Sequence, residues 1–145
     1  MPPVWKTAYP EKPATFSSQE FYKQLLLKEF NIGYQLDHPN IRHTLGWEKN
    51  DLLGNYIVLE YIDGIPLTTF IEQGKLTQAL AYKFITEICN ALQYIHSKQL
   101  IHKDLKPNNI LITHNGNNVK LIDFGLADCD DYEILKIPAG TEKYL

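Results

Sequence analysis

His102-Lys103-Asp104-Leu105-Lys106-Pro107-Asn108-Asn109 sets an imidazole, three charged groups and two amides between the apolar pieces Leu100-Ile101 and Ile110-Leu111-Ile112, and Asp123-Phe124-Gly125 follows fourteen residues after Asn109. Proline disfavours helical geometry in the residue before it, so Lys106 is extended and Asp104, Lys106 and Asn109 occupy a loop on which they can converge. A polar cluster bracketed by apolar strands needs a compensating partner. Asp123 closes the run Val119 to Ile122, so an amide and a carboxylate arrive from adjacent strands of one hairpin. Such oxygens are hard ligands that suit Mg²⁺, which is usually held by one or two carboxylates together with substrate phosphates.

Working outward, His114-Asn115-Gly116-Asn117 suits a tight turn between strands Ile110 to Thr113 and Val119 to Ile122. Upstream, a Thr77 N-cap opens the longest helix, to about Ser97, with Ala81, Phe84, Ile85, Ile88, Leu92 and Ile95 forming a wide apolar stripe. A short helix, Leu67 to Glu72, is stopped by Gly74, and Asp63-Gly64-Ile65-Pro66 breaks the strand before it. Two antiparallel strand candidates, Ile41 to Trp47 and Tyr56 to Tyr61, flank the polar stretch Glu48 to Asp51. Ser17-Ser18-Gln19-Glu20 matches a capping box, after which Phe21, Leu25, Glu29, Ile32 and Leu36 share one helical face as far as Asp37-His38-Pro39. Glu29 is the odd member, and from its position alone it reads as a partly solvated charge at the stripe's edge. Residues 7 to 16 carry two prolines and no apolar period, so they read as an irregular connection. Segregated elements of this kind predict an α+β fold, in which a small sheet-plus-helix lobe joins a mainly helical lobe through Glu60 to Gly64.

The 145 residues suffice for one domain or two small lobes, and 44% hydrophobic with 21% charged residues allows a buried core. Lys+Arg 14 against Asp+Glu 17 gives a formal charge of -3 with no basic block, which argues against nucleic-acid binding. Cys89 and Cys129 form no CxxC, so neither a disulfide framework nor a zinc knuckle is indicated, and a reducing cytoplasm fits. The start lacks the apolar core of a signal peptide and no run approaches the about 18 apolar residues that would call for a membrane.

With these residues in place, the loop resembles the His-Arg-Asp-x-Lys-x-x-Asn catalytic loop of eukaryotic-type serine/threonine protein kinases, and Asp123-Phe124-Gly125 resembles their Asp-Phe-Gly metal motif. Gly140-Thr141-Glu142-Lys143-Tyr144 is similar to the segment that precedes Ala-Pro-Glu in that family, and Leu36 to Ile41 to the end of its regulatory helix. The resemblance implies ATP and Mg²⁺ as cofactors and the serine or threonine of a protein as acceptor. It implies that Asp104 orients the acceptor hydroxyl, Lys106 contacts the γ-phosphate, Asn109 and Asp123 hold Mg²⁺, and His102 packs near Asp123. It also implies Leu59 as gatekeeper, Glu60 and Ile62 as backbone partners of adenine, Leu111 as the pocket floor, and Glu29 as partner of an ATP-binding lysine, here Lys6. By the same resemblance residues 1-59 are a small-lobe portion, 60-64 the hinge and 65-145 a large-lobe portion.

Lys103 stands where the family usually has the arginine that grips an activation-loop phosphate, and lysine lacks its planar fork. Leu126 to Ala139 holds Asp128, Asp130, Asp131 and Glu133 but no serine or threonine, so added phosphate would meet like charge. The glycine-rich loop before the lysine strand and the Ala-Pro-Glu segment are absent from the quoted sequence. This leads to the expectation of an incomplete two-lobed architecture with little turnover on its own, and of a partner protein covering Phe84, Ile88 and Leu92. The competing readings are an inactive kinase-like binding or regulatory protein and a small-molecule phosphotransferase, the latter opposed by Lys106 and the full Asp-Phe-Gly.

Overall fold

The structure, a computed structural model, describes residues 4–7, 16–52, 54–101, 105–122 and 128–129, with side chains described at all of these except 4–7, 16–19, 101 and 128–129. In chain order the elements are β1 (Val4–Thr7), α1 (Phe16–Tyr34), β2 (Thr44–Asn50), β3 (Gly54–Leu59), β4 (Gly64–Pro66), α2 (Leu67–Glu72), α3 (Gln78–Ser97), β5 (Leu100–Ile101), β6 (Ile110–Thr113), β7 (Val119–Leu121) and β8 (Asp128–Cys129). A single 3-10 turn, Pro107–Asn109, lies between β5 and β6. The architecture is α+β, as the segregated elements predict.

β3 is the centre of an antiparallel sheet ordered β1-β3-β2, with Lys6 opposite Ile57 on one side and Trp47 opposite Ile57 on the other. Helix α1 packs on it: Leu26, Ile57 and Leu59 are buried together with Phe30 and Trp47 against them. The buried side chains of α1 include Leu26, Lys28, Glu29 and Ile32, with Leu36 buried just beyond its end, and Phe21, expected on that face, is 42% exposed. The expected stripe holds at Glu29, Ile32 and Leu36 and fails only toward its amino end, where Leu26 rather than Phe21 is buried against the sheet. The helix also starts at Phe16, ahead of the expected Ser17 cap, and ends at Tyr34, where Leu36 N–H donates to Gly33 O at 3.1 Å.

A second sheet, β4-β6-β7, forms the floor of the helical part. Asp63 to Pro66 was expected only to break a strand, yet Gly64–Pro66 is a strand of its own, with Gly64 opposite Thr113 and Pro66 opposite Leu111. Proline fits there because an edge strand can spare one donor. Ile41 likewise leaves the small sheet: it forms a parallel bridge to Leu121, and Arg42 N–H donates to Leu121 O at 3.0 Å. β2 therefore begins at Thr44 rather than Ile41 and runs through the polar Glu48 to Asn50.

The core of this part unites Ile32, Leu36 and Ile41 with Phe70, Phe84, Ala91, Ile95, Leu100 and the inward residues of β6 and β7. Each fully buried isoleucine or leucine contributes roughly 1.5–3 kcal/mol. Thr77 caps α3 as expected, its hydroxyl accepting from Leu80 N–H at 3.1 Å, and Gly74, at φ +69, ends the turn after α2. The face of α3 expected to be bare is largely covered: Phe84 is buried edge-to-face against Phe70 at 5.4 Å, and Ile88 and Leu92 pack on the same core. The large apolar side chains that α3 does expose are Tyr82 at 78% and Ile85 at 61%. Among the described residues no helix is long and apolar enough to cross a membrane.

Candidate active site

The segment between the two sheets is fastened at both ends. Glu60 N–H donates to His43 O at 2.9 Å, and Glu60 Oε1 accepts from His43 N–H at 3.0 Å. Lys120 Nζ, from β7, lies 3.5 Å from both Glu60 oxygens. Three residues on, Asp63 O accepts from His114 N–H at 2.9 Å and its carboxylate meets His114 Nδ1 at 2.9 Å. With its N–H committed to His43, Glu60 has its carbonyl oxygen to offer a ligand. Leu59, at the end of β3, is buried, and Ile62 is half-buried.

Leu111 sits on β6 opposite Lys120. Its neighbours Ile110 and Ile112 point into the core, so the two-residue period turns Leu111 to the other face, the one from which Lys120 reaches Glu60. Leu111 and the 60–62 segment thus share a side of the molecule. A cavity of about 310 Å³ lined by Ile112, Ile65, Phe70, Leu80 and Lys75 opens beside the core face of β6, away from Leu111.

The polar loop enters β6 through the Pro107–Asn109 turn. Lys106 is extended at φ -152 and ψ 160, as the following proline requires, and half-buried. Asn109 N–H donates to Lys106 O at 2.9 Å, and Asn109 is only 6% exposed. Ile122 N–H donates to Asn109 O at 3.1 Å, which lays the residue preceding Asp123 directly against Asn109. Thr68 of α2 donates its hydroxyl to Asn108 Oδ1 at 2.7 Å, tying the loop to the helix that follows the connecting segment. Asp104 and Asp123, with His102, Lys103, Phe124 and Gly125, lie outside the described residues.

Glu29 faces inward from α1 at 8% exposure, one turn from Leu26. Lys6 lies on β1 opposite Ile57, the residue Leu26 packs upon, and its side chain is outside the description. The structure therefore gathers Asn109 beside the strand to Asp123, and Leu111 on the side of Leu59, Glu60 and Ile62. Lys6 sits on β1, which pairs with β3, and Glu29 on α1, which packs on the same sheet.

Two residues not singled out by sequence reasoning hold this arrangement. Lys120 interrupts an otherwise apolar strand, which is the signal that could have found it. Asn40, buried after His38-Pro39, donates through Nδ2 to Glu87 Oε1 at 3.0 Å and to Val119 O at 2.9 Å. His38 Nδ1 accepts from Asn40 N–H at 3.0 Å, and its ring lies 5.2 Å from that of Tyr94. Burial holds the His38 imidazole below the usual histidine range; the Asp37 carboxylate opposes this and the Lys120 ammonium reinforces it. A neutral ring is what the acceptor role of Nδ1 requires.

A family described as the protein kinase domain matches residues 10–145, so the chain belongs to the protein kinase domain family. It is 39% identical over 85% of its length to the serine/threonine-protein kinase RUNKEL of Arabidopsis thaliana. It is 41% identical over 69% of its length to the serine/threonine-protein kinase PrkC of Bacillus subtilis, and 40% over 72% to mitogen-activated protein kinase 4 of Rattus norvegicus. The chain spans 9%, 15% and 42% of the lengths of these three relatives.

Proposed function

We propose that this chain is the part of a serine/threonine protein kinase that transfers the γ-phosphoryl group of ATP to a hydroxyl of a protein, with Mg²⁺ as metal. The observation that carries the reading is the 3.1 Å bond from Ile122 N–H to Asn109 O. It joins the backbone of Asn109 to that of the residue before Asp123, so the two candidate oxygen ligands of one cation leave neighbouring points of the main chain. The donor chemistry fits Mg²⁺, which would supply charge neutralisation on the phosphates.

In this reading the chain's own residues position the reactants. Leu59 and Leu111 enclose the base, and the backbone at Glu60 and Ile62 pairs with its edge. Lys6, held by Glu29, and Lys106 lie along the phosphates, where their charge matches the negative charge spread over the transferring group. Asp104 orients the acceptor hydroxyl and takes its proton. Residues 60–64 act as the hinge between a small-lobe portion, 1–59, and a large-lobe portion, 65–145. The relatives' names support serine and threonine as acceptors.

Incubation of a version extended at both ends with γ-labelled ATP, Mg²⁺ and casein, followed by phosphoamino-acid analysis, tests this. Label in phosphoserine or phosphothreonine that disappears in Asp104→Asn is the expected result. Equal transfer by Asp104→Asn removes Asp104 from its role, and nucleotide binding without transfer replaces the enzyme by a binding protein.

A further inference from the structure

Lys83 and Glu87 stand one turn apart on α3, and neither belongs to the site assembled above. Lys83 Nζ lies 3.1 Å from Gly116 O, 2.6 Å from Asn117 O and 2.9 Å from Asn118 Oδ1, all in the turn that leads into β7. Its fourth neighbour is Glu87 Oε2 at 3.2 Å. An ammonium has three protons, and the turn takes three hydrogen bonds. Glu87 Oε2 accordingly is buried without a directed hydrogen bond and is held by charge alone.

The other oxygen of Glu87 continues the chain of contacts. Oε1 accepts from Asn40 Nδ2, which also donates to Val119 O, the first carbonyl of β7. Asn40 O in turn accepts from Leu121 N–H at 2.8 Å. One connected set of polar groups thus grips β7 at its entry turn, at Val119 and at Leu121, immediately before Ile122 meets Asn109. A network that is exposed at Lys83 and buried where Asn40 meets Val119 fixes one arrangement because a slip of the strand would leave several members unpaired at once.

We propose that Lys83 is a positioning residue: acting through Glu87 and Asn40, it fixes the register of β7 and with it the point at which Ile122 meets Asn109. Its effect on metal-dependent nucleotide binding rests on the kinase reading; its effect on the strand does not.

The test uses the 145-residue chain, as Lys83→Met, Lys83→Arg and Glu87→Gln. In Lys83→Met, amide hydrogen exchange at Val119 to Ile122 rises roughly tenfold or more while Tyr56 to Leu59 exchange as in the wild type, a local rather than global opening. Affinity for a fluorescent ADP is unchanged without Mg²⁺, whereas the gain on adding Mg²⁺ falls by roughly tenfold, the scale of a lost supporting contact. Lys83→Arg, which restores the cation and its donors, recovers both. Should Lys83→Met fail to fold, Glu87→Gln keeps the Asn40 contact and removes the ion pair, with the same pattern at smaller amplitude. Uniform acceleration across both strands, no acceleration, or an unchanged Mg²⁺ gain overturns the proposal. Failure of the wild type to bind ADP under any condition overturns the kinase reading instead, and the exchange rates still decide the role of Lys83.

Discussion

Lys120 Nζ lies 3.5 Å from both carboxylate oxygens of Glu60, so the strand that runs to Asp123 is fixed by charge to the first residue of the connecting segment. Both side chains are mostly buried, and Glu60 Oε1 is simultaneously occupied by His43 N–H. Three places distant in sequence, the residue before β2, the connecting segment and β7, therefore meet in one polar knot.

Lys120→Met keeps the length of the side chain and removes the charge. The expected cost in urea unfolding is about 1 kcal/mol, at the upper end for a partly exposed pair. If the knot holds the Glu60 carbonyl in place for adenine, ADP binds roughly fivefold more weakly, the equilibrium equivalent of that energy. Fluorescence titration checks this, and unchanged affinity would separate the ion pair from the base pocket.

Gly64→Ala tests the close approach of β4 to β6. A Cβ at Gly64 would collide with the carbonyl oxygen of Ile112 and lie 3.0 Å from Thr113 Cα, both in the neighbouring backbone rather than in a yielding side chain. The expected loss is about 1–3 kcal/mol, the range for overpacking, read from the urea midpoint.

His38 makes stability depend on pH in a defined direction. Its pKa in the folded protein is depressed below the unfolded value, so on acidification the unfolded chain takes up the proton first. Stability contributed by the neutral ring is full at neutral pH and falls as pH drops through the unfolded value of 6.5 toward the lower folded one. Urea unfolding of the wild type from pH 7.5 to 5.5 should lose more than that of His38→Gln, whose side chain does not titrate. Parallel curves would assign the acid sensitivity to other groups.

Asn109→Ala removes one proposed oxygen ligand. The Mg²⁺ concentration needed to raise ADP affinity should increase by roughly tenfold or more, with Mg²⁺-free affinity unchanged. An unaltered Mg²⁺ titration would show that the Asn109 amide serves the fold alone.

Local signals in the sequence located much of this structure. Helix α2, the Thr77 cap and length of α3, and the turn between β6 and β7 all depend on residues within a few positions of each other. So does the extended Lys106, forced by Pro107. What escaped depends on partners far away. The exposure of Phe21 at the amino end of α1 was set by where the sheet meets the helix, Ile41 was claimed by Leu121, and Gly64–Pro66 became a strand because Leu111 to Thr113 offered an edge. The same holds for the site: the polar loop and Glu29 stood out by composition, whereas Lys120 and Asn40 gained meaning only from Glu60, Glu87 and Val119. Lys120 and Glu60 are 60 positions apart in the chain, and Asn40 and Val119 are 79.

The residues just past α1, Asn40 to Arg42, are bonded to β7 and α3 rather than to the small sheet. That makes the carboxyl end of α1 a fulcrum. At about 1.5 Å per residue, Glu29 stands roughly 7.5 Å from the last helical residue, Tyr34, and Phe16 roughly 27 Å away. A rigid tilt about the fulcrum therefore carries the amino end through more than three times the arc that Glu29 travels. In such a tilt Glu29 would sit on the short arm and the amino end of the helix on the long one.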